Sequence, residues 1–240
     1  MSFKDHFSSR SADYAAYRPT YPVALADYLA GMCETPAMAL DVGCGTGQLS
    51  VLLAERFASV VATDASARQI ENAVPHERVT YRVAPAEKSG LPEHSVDLVT
   101  VAQAAHWFDL PAFYAEVRRV AKPGGILALI TYGVIQADPE IDPVVRHFYK
   151  DVIGSYWPPE RRHVEEGYRS FDFPFAELTP PDMAITVEWR AADLIGYADT
   201  WSAVREAEKA LGRRPIDAFA QDLRAAWGDP ARRRTIRFPP

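Results

Sequence analysis

ALDVGCGTGQLS, residues 39–50, joins an apolar run to three glycines at alternate positions, Gly43, Gly45 and Gly47. Residues 48–56, which follow, have the composition of a helix. A strand that runs into a glycine turn and then a helix brings backbone N–H groups and the positive helix end to one place. Glycine suits such a turn because it adopts positive φ and leaves room for a ligand against the backbone. The stretch therefore predicts a site for a nucleotide-type ligand.

The totals are those of an ordinary globular domain. The chain has 240 residues, enough for one large domain, and its formal net charge of −6 argues against a nucleic-acid partner, since neutralising phosphates needs a basic face. The short arginine pairs, among them Arg161-Arg162, indicate solvated surface. No apolar run is long enough to span a bilayer and no signal-peptide pattern is present, so we expect a cytoplasmic protein without a membrane partner. Its expected oligomeric state is a monomer or a homodimer. The two cysteines, Cys33 and Cys44, have no metal-site spacing, and we expect no metal.

Residues 38–131 alternate strand-like and helix-like segments. The predicted strands are residues 38–42, 59–64, 79–83, 97–102 and 126–131, and the predicted helices are residues 47–57, 66–73 and 110–120. Strands that are apolar on both faces and separated by helices indicate a parallel sheet covered on both sides. The pattern predicts an α/β, Rossmann-like, doubly wound fold.

The rest of the chain divides into three parts. Residues 1–37 are an aromatic arm followed by a helix at 23–31, and the arm is interpreted either as a lid, which closes over the ligand with Tyr14 and Arg18, or as packing. Residues 132–183 hold seven prolines from Pro139 to Pro181 and predict an inserted cap that contacts the substrate. Residues 184–240 are the C-terminal part, with predicted strands at 184–189 and 235–238 and helices at 192–202 and 215–227.

Polar side chains follow the predicted strands at the edge where an open parallel sheet binds its ligands. Asp64 ends the second strand, where its carboxylate can accept hydrogen bonds from both ribose hydroxyls. Glu87 follows the third strand and Gln103 the fourth, while Asp41 directly precedes the glycines. A ligand with a cationic ammonium group suits Asp41, whereas an anionic pyrophosphate does not.

Two other ligand classes have different glycine spacings. The dinucleotide fingerprint G-x-G-x-x-G requires glycine at the position of Gln48, and the P-loop pattern has no match in this stretch. A nicotinamide-dependent oxidoreductase and a cofactor-binding protein without turnover remain as alternatives.

Five motifs together resemble class I S-adenosylmethionine-dependent methyltransferases with a methyltransferase type 11 domain. They are DVGCGTGQ at 41–48, VATD at 61–64, APAE at 84–87, SVDLVTVAQAAHWF at 95–108 and KPGG at 122–125. The aromatic N-terminal segment and TWSA at 200–203 resemble the small-molecule branch that includes trans-aconitate methyltransferases. The resemblance implies a seven-stranded, mostly parallel sheet with the seventh strand antiparallel.

The resemblance also implies the cofactor S-adenosylmethionine, the product S-adenosylhomocysteine and a set of cofactor contacts. These contacts are Asp41, Gly43, Gly45 and Gln103 at the methionine part, Asp64 at the ribose, Ala65, Ala86 and Glu87 at the adenine, and Tyr14 and Arg18 as cover.

The acceptor is predicted to be a small molecule, with a carboxylate as the leading class. A carboxylic acid with a pKa of about 4 is already ionised, whereas a phenol, alcohol or amine must lose a proton. His106 is the candidate base for that step, and its alternative role is to orient the substrate or to pack. Trp107 and Trp201 are predicted to wall the acceptor pocket, with core packing as the alternative.

Overall fold

The computed structural model describes residues 19–239, so Tyr14, Arg18 and the predicted arm before residue 19 lie outside the described residues. The strands are β1 (Met38–Val42), β2 (Ser59–Asp64), β3 (Val79–Val83), β4 (Val96–Ala102), β5 (Ala121–Ile130), β6 (Ile185–Trp189) and β7 (Arg234–Phe238). The helices are α1 (Val23–Gly31), α2 (Gln48–Ala54), α3 (Ala67–Glu71), α4 (Leu110–Val120), α5 (Asp142–His147), α6 (Arg161–Glu165), α7 (Ala191–Asp199), α8 (Ser202–Leu211) and α9 (Pro215–Trp227).

β1 to β5 form one parallel sheet in the order β3-β2-β1-β4-β5. The chain moves outward from β1 in one direction and then returns to add β4 and β5 on the other side. This reversal opens a crevice at the carboxyl ends of β1 and β4, where doubly wound sheets bind ligands. The predicted α/β Rossmann-like fold is confirmed.

Alternate strand residues enter two separate cores, because successive side chains point to opposite faces of a sheet. On one face, Leu40, Val42, Val99 and Val101 pack with α4. On the other, Ala39, Val60 and Leu98 pack with α1 and α2. Both faces of the sheet are therefore buried, and a site with polar side chains can lie only at the ends of the strands.

The last two strands differ from the predicted arrangement. Within residues 19–239, β6 and β7 form a separate antiparallel pair, so the parallel sheet has five strands and the single seven-stranded sheet is not confirmed. The chain after β5 meets β7 only briefly: Gln136 and Arg237 exchange two backbone hydrogen bonds of 2.8 Å, and the Gly133 N–H donates to Pro239 O at 2.9 Å. The segment after Ile130 leaves the β5 ladder, so pairing with β7 is too short to continue the sheet.

The KPGG turn lies inside a strand rather than before it. α4 ends at Val120 and β5 begins at the next residue, with its pairing to β4 shifting between Val96 and Leu98. A Cβ on Gly125 would stand 2.9 Å from the Lys122 carbonyl oxygen, so the backbone at this shift in strand register requires glycine at position 125.

A third hydrophobic core joins the predicted cap to the C-terminal part. It contains Ile141, Phe148 and Ile153 from the cap together with Leu194 and Trp227 from the C-terminal helices. The buried Arg234 of β7 adds ion pairs to Asp138 and to Glu140, the latter at 2.8 Å. None of the helices in the described part of the chain is long and apolar enough to cross a membrane.

Candidate cofactor and acceptor site

The three glycines of the turn all have positive φ, at 68° for Gly43, 57° for Gly45 and 88° for Gly47, but only one faces open space. A Cβ on Gly43 would lie 2.6 Å from the Ala104 Cβ, and one on Gly47 would lie 2.1 Å from the Tyr81 hydroxyl oxygen. A Cβ on Gly45 would meet nothing within 4 Å. Gly43 and Gly47 are thus required by the protein's own packing, while Gly45 leaves a surface on which a ligand can lie.

The backbone N–H groups of this turn are largely paired within the protein. Those of Gly43 and Cys44 both donate to Thr63 O, at 2.8 and 3.0 Å, and that of Gly47 donates to Cys44 O at 2.9 Å. A phosphate-binding loop instead presents its N–H groups to the ligand. The turn therefore suits a ligand that packs against it better than a pyrophosphate.

Asp64 stands at the carboxyl end of β2 with its carboxylate turned toward the glycine turn. Its Oδ2 accepts the Gly45 N–H at 2.9 Å and its Oδ1 accepts the Ser66 N–H at 2.8 Å. These two bonds fix the orientation of a negative charge beside the open face of Gly45. Ala65, the next residue, is exposed.

Asp41 is buried beneath the turn. Its Oδ2 accepts the Ser50 hydroxyl at 2.6 Å and its Oδ1 accepts the Thr100 hydroxyl at 2.8 Å, which ties β1 to α2 and β4. Burial raises the pKa of Asp41 to about 6, although both hydrogen bonds act in the opposite direction. Burial likewise raises the pKa of the Cys44 thiol, so that residue is a neutral filler.

We expect Asp41→Asn to be at least as stable as the parent protein at pH 8. Because the folded pKa of Asp41 lies above the usual value of 3.8, ionisation costs the folded state stability, and this cost grows from about pH 4 and is complete above about pH 6. Asparagine removes a cost of up to about 3 kcal/mol at pH 8 and none below pH 4. Urea unfolding at pH 5 and pH 8 measures the difference, and a variant clearly less stable at pH 8 would contradict it.

The predicted adenine and methionine residues lie on loops at the same edge. Ala86 is buried, and the Glu87 Oε1 accepts the Asp109 N–H at 3.0 Å, linking the loop after β3 to the start of α4. Gln103 has φ 57°, and its backbone N–H donates to Ile130 O at 2.8 Å while its Nε2 donates to Tyr132 O at 3.1 Å. Gln103 thereby connects the ends of β4 and β5.

His106 lies in a short 3₁₀ turn, Ala105–Trp107, directly after β4. Its Nδ1 is 3.0 Å from the hydroxyl oxygen of Tyr168, a buried cap residue that the sequence reasoning did not single out, and its ring centroid is 4.7 Å from that of Trp107. Burial, followed by the charges of Arg161 and His163, lowers the pKa of His106 to about 3. The imidazole is therefore neutral near pH 7.

Trp201 packs in an aromatic cluster separate from the His106 group. Its ring centroid lies 5.5 Å from that of Tyr149 and 5.8 Å from that of Trp157. Only 6% of Trp201 is exposed, so most of its surface serves the core between the cap and the C-terminal helices. The two predicted pocket tryptophans thus belong to different clusters, both of them at or near the cap.

The site has the features that S-adenosylmethionine requires and lacks those of a metal centre within the described chain. An open glycine face, a fixed carboxylate at the end of β2 and a buried acid beneath the turn fit an aminoacyl nucleoside with a positive sulfur. Among residues 19–239, no group of three or more His, Cys, Asp and Glu side chains is arranged to hold a metal ion.

The comparisons with known proteins agree with this geometry. Residues 40–129 match the family described as a methyltransferase domain. A Dictyostelium discoideum protein named as a methyltransferase is 36% identical over 229 residues, which covers 94% of this chain and 87% of the relative.

A solved structure and an enzyme with a stated substrate add to these matches. The solved structure of an Anaeromyxobacter dehalogenans protein described as a type II methyltransferase is 48% identical, with a TM-score of 0.88 and coverage of 93% of this chain and 95% of that chain. A malonyl-[acyl-carrier protein] O-methyltransferase from Dechloromonas aromatica is 34% identical over 143 residues, covering 58% of this chain and 51% of the relative. The chain therefore belongs to the methyltransferase domain family and is a class I S-adenosylmethionine-dependent methyltransferase.

Proposed function

We propose that this enzyme methylates a carboxylate oxygen of a small-molecule acceptor at the crevice beside His106. The observation that carries the proposal is the environment of that histidine, which is neutral and half-buried against Tyr168. When bound, S-adenosylmethionine supplies a methyl group on a positively charged sulfur, which an ionised acceptor attacks directly.

His106 is a poor base for acceptors that must lose a proton. Transfer of a proton from a phenol, with a pKa of about 10, to an imidazole whose pKa is about 3 is uphill by on the order of 9 kcal/mol. A carboxylic acid is ionised at pH 7 and needs no such transfer. The lowered pKa therefore favours a carboxylate over a phenol, an alcohol or an amine.

In this proposal His106 orients the acceptor instead of activating it. Burial raises the pKa of Tyr168, so its hydroxyl keeps its proton. In this proposal that hydroxyl donates a hydrogen bond to the Nδ1 of His106, which lies 3.0 Å away. The remaining proton is then on Nε2, which can donate a hydrogen bond to a carboxylate oxygen. Holding that oxygen in line for attack can contribute on the order of 7–11 kcal/mol of barrier reduction.

The proposal keeps the cofactor contacts that the family resemblance implies. Asp64 would hold the ribose hydroxyls, Gly45 would support the methionine part, and Asp41 would act from beneath the turn. Ala65, Ala86 and Glu87 would border the adenine, and Gln103 would close the methionine side. Tyr14 and Arg18 keep their predicted role as cover.

A relative of known substrate supports the acceptor class. The Dechloromonas aromatica protein is named for O-methylation of a malonyl group, which carries a free carboxylate. The trans-aconitate branch, suggested by the N-terminal aromatics and TWSA at 200–203, remains a finer prediction of the same chemistry.

The test is a panel of small carboxylic acids, phenols and amines assayed for release of S-adenosylhomocysteine. We expect turnover with acids only, and a kcat/KM that is flat from pH 7 to 9, because neither the acid nor His106 titrates there. Turnover confined to phenols or amines would contradict the carboxylate proposal. Tight cofactor binding without turnover on any acceptor would instead favour a silent cofactor-binding protein.

A substitution separates the orienting role of His106 from that of a base. His106→Gln keeps an N–H donor near the position of Nε2 but cannot accept a proton, so we expect kcat/KM within about tenfold of the parent value. A base would lose at least 10²-fold, the scale of general-base catalysis. Steady-state kinetics on the preferred acid decides between the two, and His106→Ala serves as the variant without the donor.

A further inference from the structure

Arg161, the first residue of α6, is half-buried against two aromatic rings, although its sequence context indicates solvated surface. Its guanidinium carbon lies 4.8 Å from the centroid of Trp157 and 5.7 Å from that of Tyr149. Its Nε donates to the Tyr149 hydroxyl at 2.8 Å. Stacking and this hydrogen bond together hold the planar group in one orientation.

The outer edge of that guanidinium has no protein partner in the described chain. No ion pair joins Arg161 to a carboxylate of residues 19–239, and of its three guanidinium nitrogens only Nε makes a hydrogen bond within those residues. The acid nearest in this network, Glu165, already accepts the Tyr149 hydroxyl at 2.6 Å. A fixed guanidinium whose Nη1 and Nη2 have no protein partner can bind a carboxylate through two parallel hydrogen bonds.

The position of Arg161 connects it with the methyl-transfer site. α6 packs on the turn Ala105–Trp107. The positive charge of Arg161 acts to lower the pKa of both His106 and Tyr168. Tyr149 and Trp157 in turn contact Trp201. Arg161 therefore lies between the two clusters that hold the predicted pocket residues His106, Trp107 and Trp201.

We propose that Arg161 binds a second, non-reacting carboxylate of the acceptor, so that the preferred substrates are small acids with two carboxylates. This inference rests on the proposed function. During transfer one O–C bond forms and the C–S bond breaks, so the reacting carboxylate loses its negative charge and no proton is released. A cation paired with that group would stabilise the ground state more than the transition state, which slows the reaction. A cation paired with the other carboxylate keeps its ion pair throughout the reaction. The neutral His106 is the better partner for the reacting carboxylate, because it carries no positive charge.

The experiment compares diacids of four to six carbons (succinate, glutarate and adipate) with monoacids of the same length (butyrate, pentanoate and hexanoate). The variant is Arg161→Met, which keeps the apolar stem over Trp157 but removes the charge. We expect its KM for the best diacid to rise about 10- to 100-fold with kcat unchanged, the scale of a charge-assisted bidentate pair. Turnover of monoacids should not change, and Arg161→Lys should recover part of the diacid affinity.

Arg162→Met is the matched control, because Arg162 is the exposed neighbour of Arg161 and should behave as the parent enzyme. Thermal unfolding of each variant checks that the fold is retained. A parent enzyme that does not prefer any diacid, or an Arg161→Met variant that weakens monoacids and diacids equally, overturns the role of Arg161 while leaving carboxylate methylation intact. Failure of the parent enzyme to methylate any acid overturns the proposed function itself, and this inference with it.

Discussion

Gly47→Ala is expected to lower the free energy of unfolding by about 2–5 kcal/mol, the sum of the cost of a Cβ on a left-handed residue and the cost of overpacking the site. The backbone at Gly47 has φ 88°, and the added Cβ would stand 2.1 Å from the Tyr81 hydroxyl oxygen and under 3 Å from two ring carbons. Tyr81 cannot retreat freely, because its hydroxyl also donates to Val74 O at 2.8 Å.

Urea unfolding measures this loss, and Gly45→Ala is the matched control. Gly45 shares the positive φ, but its Cβ would meet no protein atom within 4 Å, so its stability cost should be only about 1–2 kcal/mol. Cofactor affinity should show the reverse order. Gly45→Ala places a methyl group on the open face of the turn, so it should weaken cofactor binding more than Gly47→Ala does. Equal stability losses would show that Tyr81 yields to the added Cβ.

Asp64→Ala is expected to weaken binding of S-adenosylhomocysteine by about 1.5–3 kcal/mol, roughly a 10- to 150-fold rise in Kd. The carboxylate is held in place by the N–H groups of Gly45 and Ser66 beside the open face of the turn. Removing it takes away the predicted partner of the ribose hydroxyls and leaves two backbone donors without their acceptor.

Titration calorimetry on the folded variant measures the affinity, and Asp64→Asn separates charge from position. Asparagine keeps one oxygen for the backbone bonds but carries no charge, so its affinity should lie between those of the parent and Asp64→Ala. Unchanged affinity in Asp64→Ala would remove this residue from the cofactor site.

The sequence predicted the parts of the fold that depend on local pattern. The bounds predicted for β3 and α4 match the structure, and Ser66, the first residue of the predicted helix at 66–73, caps α3 by accepting the Gln69 N–H at 3.4 Å. These features follow from apolar periodicity and from capping chemistry, which operate within a few residues.

Two features escaped the sequence reasoning, and only the second has a cause that is not local. α8 has apolar residues at helical spacing, but the three that are buried, Ala203, Val204 and Ala207, are small, and its other face is charged. The hydrogen bond between Tyr168 and His106 joins residues 62 positions apart. Pairings of this kind depend on how the cap folds back over the sheet, and no periodic pattern encodes them.

The core shared by the cap and the C-terminal helices decides how this enzyme can be recombined with its relatives. Ile141, Phe148 and Ile153 are packed among C-terminal side chains, so a chimera that exchanged residues 132–183 whole would have to rebuild that core. A donor cassette beginning after Trp157 would avoid most of those contacts. It would also carry Arg161 and Tyr168 with it, so acceptor preference should be inherited with a graft of about 25 residues.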